Sequence, residues 1–236
     1  MNIALIIAGG SGKRMGQDIP KQFLTINEKP VIIYTLEAFQ SHKDIDEIAV
    51  VCIANWENVL KAYAKQFNIT KLHHVITGGD CGQSSIRNGV FALEKQYSQD
   101  DIVLIHDAIR PLVSQEIISD CIAKTQQYGN AISAIPCAEA MLETSGGVFS
   151  TSSYPREKLK RTQTPQGFRL GKICDIHRQA LKMSITNSVA SCTLMVELGK
   201  KIYFSAGSEK NIKLTTTEDI DIFRALLMTK KYEWLK

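Results

Sequence analysis

Binding a phosphate chain needs backbone donors that can approach a ligand closely and cations beside them, and both occur in IIAGGSGKRMGQDIPKQF, residues 6–23. Small residues follow an apolar run there, and Lys13, Arg14 and Lys21 follow the small residues. Three loop chemistries compete. A P-loop, GxxxxGK followed by Ser or Thr, fails because Arg14 follows Gly12 and Lys13, and Ile7 stands at the first glycine. A dinucleotide fingerprint, GxGxxG, fits Gly10 and Gly12 but meets Met15 at its third glycine, and no second strand ends in an acidic residue at the expected distance. A nucleotidyltransferase loop remains: Gly9, Gly10 and Gly12 let backbone N–H groups reach a nucleotide, Arg14 and Lys21 supply positive charge, and Pro20 stiffens the approach. The plain alternative is a glycine-rich strand-to-helix turn followed by solvated cations.

Further along, Asp107 follows the apolar run IVLIH, which sets its carboxylate at the carboxyl end of a buried strand. A hard oxygen ligand there suits Mg²⁺, which takes one or two carboxylates plus substrate phosphates, and the same aspartate serves equally well to cap the next turn. Arg110, in HDAIRP, offers a bidentate donor for phosphate, whereas His106 has no companion ligands and reads as structural. In GGDCGQSS, residues 78–85, the residues alone indicate a turn and a cap ahead of a helix starting at Ser84.

The elements that must carry these residues alternate. Apolar runs rich in Ile and Val (3–8, 47–53, 72–76, 102–106, 131–135) are separated by helical patterns near 31–40, 55–67, 84–96 and 114–128. Strands apolar on both faces, each followed by a helix, predict a doubly wound α/β fold with a mostly parallel sheet, whose ligands sit at the carboxyl ends of the strands. From Pro136 to about Arg161 the chain turns polar and turn-rich, and globular patterning resumes only after TPQGF. Helices near 170–183 and 188–198, strands near 201–204 and 212–214, and a closing helix from about Thr217, with a Thr cap and acidic residues in its first turn, complete one expected domain over 1–236. The balance of 44% hydrophobic and 22% charged residues is that of an ordinary globular protein. A net charge of +4, with no aromatic interleaving among the cations, argues against a nucleic-acid partner, and no apolar run reaches membrane-spanning length. Cys52, Cys81, Cys121, Cys137, Cys174 and Cys192 lack zinc spacing and read as reduced thiols of a cytoplasmic protein.

Six motifs occur in order along nearly the whole chain: AGGSGKRMG, PKQFL, GGDCGQSSIRNGV, HDAIRP, an Arg ahead of TPQGF, and NIKLTT. Together they give a sequence that resembles the cytidylyltransferase family of 2-C-methyl-D-erythritol 4-phosphate cytidylyltransferase and ribitol-5-phosphate cytidylyltransferase, and AGG rather than AAG is more similar to the ribitol-phosphate branch. The resemblance implies a Rossmann-like nucleotidyltransferase fold. It also implies transfer of a cytidylyl group from CTP to a polyol or sugar phosphate, release of pyrophosphate, and Mg²⁺ or another divalent cation as cofactor. On the family pattern Arg14 and Lys21 bind the triphosphate, Lys213 meets the same phosphates from the other side, and Asp107 holds the metal. Ala8, Gly9, Gly10, Gly12, Gly79, Asp80 and Ser85 would form the nucleotide pocket, and Arg110 would bind the acceptor phosphate. The polar segment 136–161 becomes a protruding arm of a homodimer that delivers Arg156, also one of the catalytic set, to the partner subunit's acceptor site, and Ala140 stands at an acceptor-binding position.

Departures from the family pattern fall on the acceptor side. Ala140 replaces a usual Thr, Gly82 replaces an Arg of the GGxxR segment, Asn187 and Ser188 replace an acidic TD-type pair, and Lys210 replaces an Asp common in the methylerythritol branch. The expectation is therefore a cytidylyltransferase acting on ribitol 5-phosphate or a related acceptor, with methylerythritol phosphate as the alternative. An enzyme taking UTP, GTP or dTTP, and a weakly active nucleotide-binding scaffold protein, are the competing readings.

Overall fold

Apolar runs bounded by turn residues form the strands of a central sheet. A computed structural model describes residues 1–10, 19–144 and 146–230, with the Lys230 side chain excepted. In chain order the elements are β1 (Asn2–Ala8), β2 (Thr25–Ile26), β3 (Lys29–Pro30), α1 (Val31–Gln40), β4 (Glu47–Cys52), α2 (Glu57–Gln66), β5 (Leu72–Thr77), α3 (Gly82–Glu94), β6 (Ile102–Asp107), α4 (Gln115–Tyr128), β7 (Asn130–Pro136), β8 (Met141–Glu143), β9 (Ser152–Tyr154), β10 (Lys160–Arg169), α5 (Leu170–Lys182), α6 (Ser191–Glu197), β11 (Phe204–Ala206) and α7 (Thr217–Lys230).

The sheet runs β11-β7-β10-β6-β1-β4-β5. Neighbours are parallel except β10, which lies antiparallel between β6 and β7. This is the doubly wound, mostly parallel arrangement that the alternating pattern predicts. Its two faces divide the residues of β1, β4 and β6 by parity. Ala4, Ile6 and Ala8 of β1 pack with α1, α2 and α4, and Ile3 and Leu5 pack with α3, α5 and α6. Burial of one such Ile or Leu side chain contributes roughly 1.5–3 kcal/mol.

Four expectations need correction. The segment around TPQGF is not the end of a loop but part of the ten-residue strand β10, broken by an irregularity between Thr162 and Gln166. The expected strand at 201–204 lies later, at Phe204–Ala206, and 212–214 forms no strand. There the Leu214 N–H donates to the Ile109 carbonyl at 2.9 Å, a loop-to-loop bond that fixes the segment without a ladder. Helix α3 begins at Gly82 rather than Ser84, because Cys81 is its cap and Ser84 closes a reciprocal capping box with it.

Between β7 and β10 the chain leaves the sheet as a hairpin in which β8 pairs antiparallel with β9, Met141 opposite Tyr154. Leu142, Val148, Phe149 and Tyr154 stand exposed on it. All six cysteines are free and five are buried. Among the described residues no helix is long and apolar enough to cross a membrane.

Candidate active site

Asp107 closes β6, and the loop that follows turns back across the strand end. Its Oδ2 accepts from Arg110 Nε at 3.2 Å and lies 3.1 Å from Lys213 Nζ. Burial opposes ionisation of this carboxyl, but Lys213 and Arg110 outweigh it and hold the group below the ordinary carboxylate range. Arg110 is nearly buried and also donates through Nη1 to the Asn211 carbonyl at 2.6 Å, whereas the Lys213 side chain is 42% exposed and can reach a ligand. These three charges line one cleft of about 250 Å³ together with Gly82, Thr162, Gln163 and Thr164.

Strand β10 sets the back of that cleft. The Thr164 hydroxyl accepts from the Asp107 N–H and bonds His106 Nδ1, both at 3.1 Å, while His106 Nε2 bonds the Arg110 carbonyl at 3.2 Å. A carbonyl only accepts, so Nε2 carries the proton and Nδ1 accepts from the threonine. Burial drives the His106 pKa down to about 4, which keeps this imidazole neutral at physiological pH. His106 thus braces both ends of the 107–110 turn.

The nucleotide side is built by close packing of backbone. The Gly79 N–H donates to Ser85 Oγ at 3.0 Å, and Gly78 N–H to the Cys52 carbonyl at 2.8 Å, which brings the turn before α3 to the end of β4, beside Gly9 at the end of β1. A Cβ at Gly9 would lie 2.9 Å from Ser85 Oγ, and one at Gly79 only 2.4 Å from Ser84 Oγ, so both positions require glycine. Gln22, buried in the short turn after Pro20, donates its amide to the carbonyls of Ala8 and Gly10 at 2.7 and 3.0 Å. Lys21 is half-buried in the same turn. Asp80 and Gly10 are exposed. Gly12 and Arg14 lie outside the described residues.

The fold therefore brings Ala8, Gly9, Gly79 and Ser85 to one strand end and Asp107, Arg110 and Lys213 to the neighbouring one. Ala140 and Arg156 are exposed and do not line the cleft; Arg156 donates to the Ala138 carbonyl at 2.8 Å. Sequence reasoning misses Gln22, Gln163, Thr164 and Asn211, whose side chains hold the reactive groups without carrying charge. Ser188, one of the departures, donates its hydroxyl to Glu197 and takes its own N–H to Gln83 Oε1 at 2.7 Å.

Cations converging at strand ends beside a glycine-rich turn, on a doubly wound sheet, define a nucleotidyltransferase. The chain belongs to the family described as IspD, 2-C-methyl-D-erythritol 4-phosphate cytidylyltransferase, whose model matches residues 2–229, and it is a cytidylyltransferase. It is 44% identical over 233 residues to a ribitol-5-phosphate cytidylyltransferase of Lacticaseibacillus paracasei, covering 98% of this chain and 100% of the relative. It is 37% identical to a 2-C-methyl-D-erythritol 4-phosphate cytidylyltransferase of Clostridium botulinum, over 96% and 97% of the two chains. A solved 4-diphosphocytidyl-2C-methyl-D-erythritol synthase superposes with a TM-score of 0.79 at 26% identity, over 96% of this chain and 98% of that one.

Proposed function

We propose that this enzyme transfers CMP from CTP to ribitol 5-phosphate, releasing pyrophosphate and forming CDP-ribitol. The observation that carries the reading is the convergence of Asp107, Arg110 and Lys213 beside the Gly9–Gly79 wall in a chain of this family; the acceptor follows from the relative at 44% identity. A phosphate monoester oxygen is already ionised near neutrality, so it attacks the α-phosphorus of CTP without a general base, and the bond to the β-phosphate bridging oxygen breaks. The work left to the protein is to hold two polyanions in line. Arg14, Lys21 and Lys213 would bear the charge that develops on the α-phosphate and the leaving pyrophosphate, and Arg110 would meet the acceptor phosphate.

Among the described residues no group of three or more His, Cys, Asp or Glu side chains could form a metal cage. One carboxylate, Asp107, beside a triphosphate site is a donor set that suits Mg²⁺, whose other ligands come from phosphates and water. When bound, Mg²⁺ neutralises phosphate charge. The hairpin reading pairs two chains, with Arg156 reaching the partner subunit's acceptor site; its exposed Leu142, Val148 and Phe149 support an interface there.

A pyrophosphate-release assay tests the reading, using four nucleoside triphosphates against ribitol 5-phosphate and methylerythritol phosphate, with Mg²⁺ and with chelator. Turnover is expected with CTP and ribitol 5-phosphate and lost with chelator. Turnover with methylerythritol phosphate instead would move the chain to the other branch. Lys21→Ala should lower kcat by about 10²- to 10³-fold, and undiminished turnover would remove Lys21 from the mechanism.

A further inference from the structure

We propose that Asn211 is a positioning residue for the cationic side of the site, acting through Arg110 and Lys213. The inference rests on the reading of Asp107, Arg110 and Lys213 as the phosphate-handling groups. Segment 208–214 forms no strand, so no backbone ladder holds Lys213 in register with β6. Two side-chain amides do this alongside the Leu214 N–H bond to the Ile109 carbonyl. Gln163 of β10 donates to the Ser208 carbonyl at 2.9 Å and accepts from the Ser208 N–H at 3.2 Å, copying a strand pairing with its own amide. Asn211, 0% exposed, donates both hydrogens of its amide back to β10, to the Thr164 carbonyl at 2.9 Å and to Gln163 Oε1 at 3.3 Å.

That donor pair fixes the orientation of the Asn211 amide, because a flipped group would set oxygen against two acceptors. The consequences reach three charged residues. The Asn211 carbonyl receives Arg110 Nη1 at 2.6 Å, Arg110 reaches Asp107 through Nε, and Lys213 lies two residues on, with its Nζ on the same carboxylate. Thr164, the residue whose carbonyl Asn211 holds, is also the one whose hydroxyl accepts the Asp107 N–H. Asn211 therefore closes a circuit through β6, β10 and the 208–214 segment. A long lysine side chain loses considerable rotamer freedom when it is held, and here its root is held by an amide rather than by a sheet. Asparagine is specified by chemistry: an apolar residue of similar bulk would bury the Thr164 carbonyl without its donor and leave Gln163 Oε1 with the Ser208 N–H alone.

The test is a double-mutant cycle read by pyrophosphate release from CTP and ribitol 5-phosphate, with thermal unfolding of the same samples. Asn211→Leu should lower kcat/KM by about 10- to 100-fold, with a fall in kcat, because one or more buried acceptors lose their donor. In a Lys213→Ala background the same change should cost only a few-fold in kcat/KM while lowering the unfolding temperature as much as it does alone. Asn211→Ser removes the amide with less bulk and carries the test if the leucine variant does not fold. A folded Asn211 variant within two-fold of wild-type kcat/KM, or an equal activity loss with and without Lys213, would overturn the positioning role. Wild-type turnover by Lys213→Ala itself would sink the reading of the phosphate-handling groups, and the positioning role with it.

Discussion

Gly79 shows how little room the nucleotide wall leaves: a Cβ there would sit 2.4 Å from the short, capping Ser84 side chain. Gly79→Ala must push α3 or the turn aside, at a cost of about 1–3 kcal/mol, and is expected to raise the KM for CTP more than it lowers kcat. Steady-state kinetics with CTP varied checks the split. Buried histidines contribute to the pH response of the fold. His106 and His177 both have pKa values lowered to about 4 by burial, and neither ring nitrogen of His177 meets a protein partner among the described residues. In the unfolded chain each takes up a proton below about 6.5. Neither therefore costs stability above that value, and each destabilises the fold progressively as pH falls from about 6.5 to about 4, by on the order of 3 kcal/mol apiece. Urea titrations near pH 7 and pH 5 should show the drop, and His177→Leu should flatten it without lowering stability at pH 7. At this scale the sequence reveals charged groups and glycines better than neutral ones. Asp107 stands out because it ends an apolar run, whereas Asn211 and Gln163 carry no mark of their partners, which are distant in sequence.

β10 is the element that sequence patterning reads least well. KRTQTPQGFR contains Pro165 and two glutamines and only one large apolar side chain, so it lacks both the alternation and the apolar run that announce a strand. Its glutamines are buried because they bond the neighbouring segments: Gln166 receives the Cys192 N–H at the start of α6 at 3.1 Å, and Gln163 pairs with Ser208 of the following loop. β1, β4 and β6 are legible for the opposite reason, being covered on both faces and nearly continuous in Ile, Val and Leu. Thr164→Val tests the element's role in the site. It leaves the Asp107 N–H and His106 Nδ1 without their common partner and should destabilise the protein by about 1–3 kcal/mol. Turnover should fall as well, and denaturant unfolding alongside initial rates would separate the two effects.

At the scale of the whole molecule the cleft of one chain contains Asp107, Arg110 and Lys213 but not Arg156. If Arg156 serves the partner subunit's site, mixing inactive Arg156→Ala with inactive Lys213→Ala and allowing subunits to exchange should restore about a quarter of the sites. Half of the dimers are then mixed, and each mixed dimer has one site with both residues intact. No recovery, with exchange verified, would return Arg156 to a local role. The hairpin that carries Arg156 begins and ends at facing residues, since Pro136 of β7 lies opposite Lys160 of β10. Everything between them is a closed excursion whose length can change without shifting either strand. The excursion is thus a replaceable module: exchanging it between relatives should alter which chains associate, and the reach of Arg156, while the glycine wall and the Asp107 cluster stay in register.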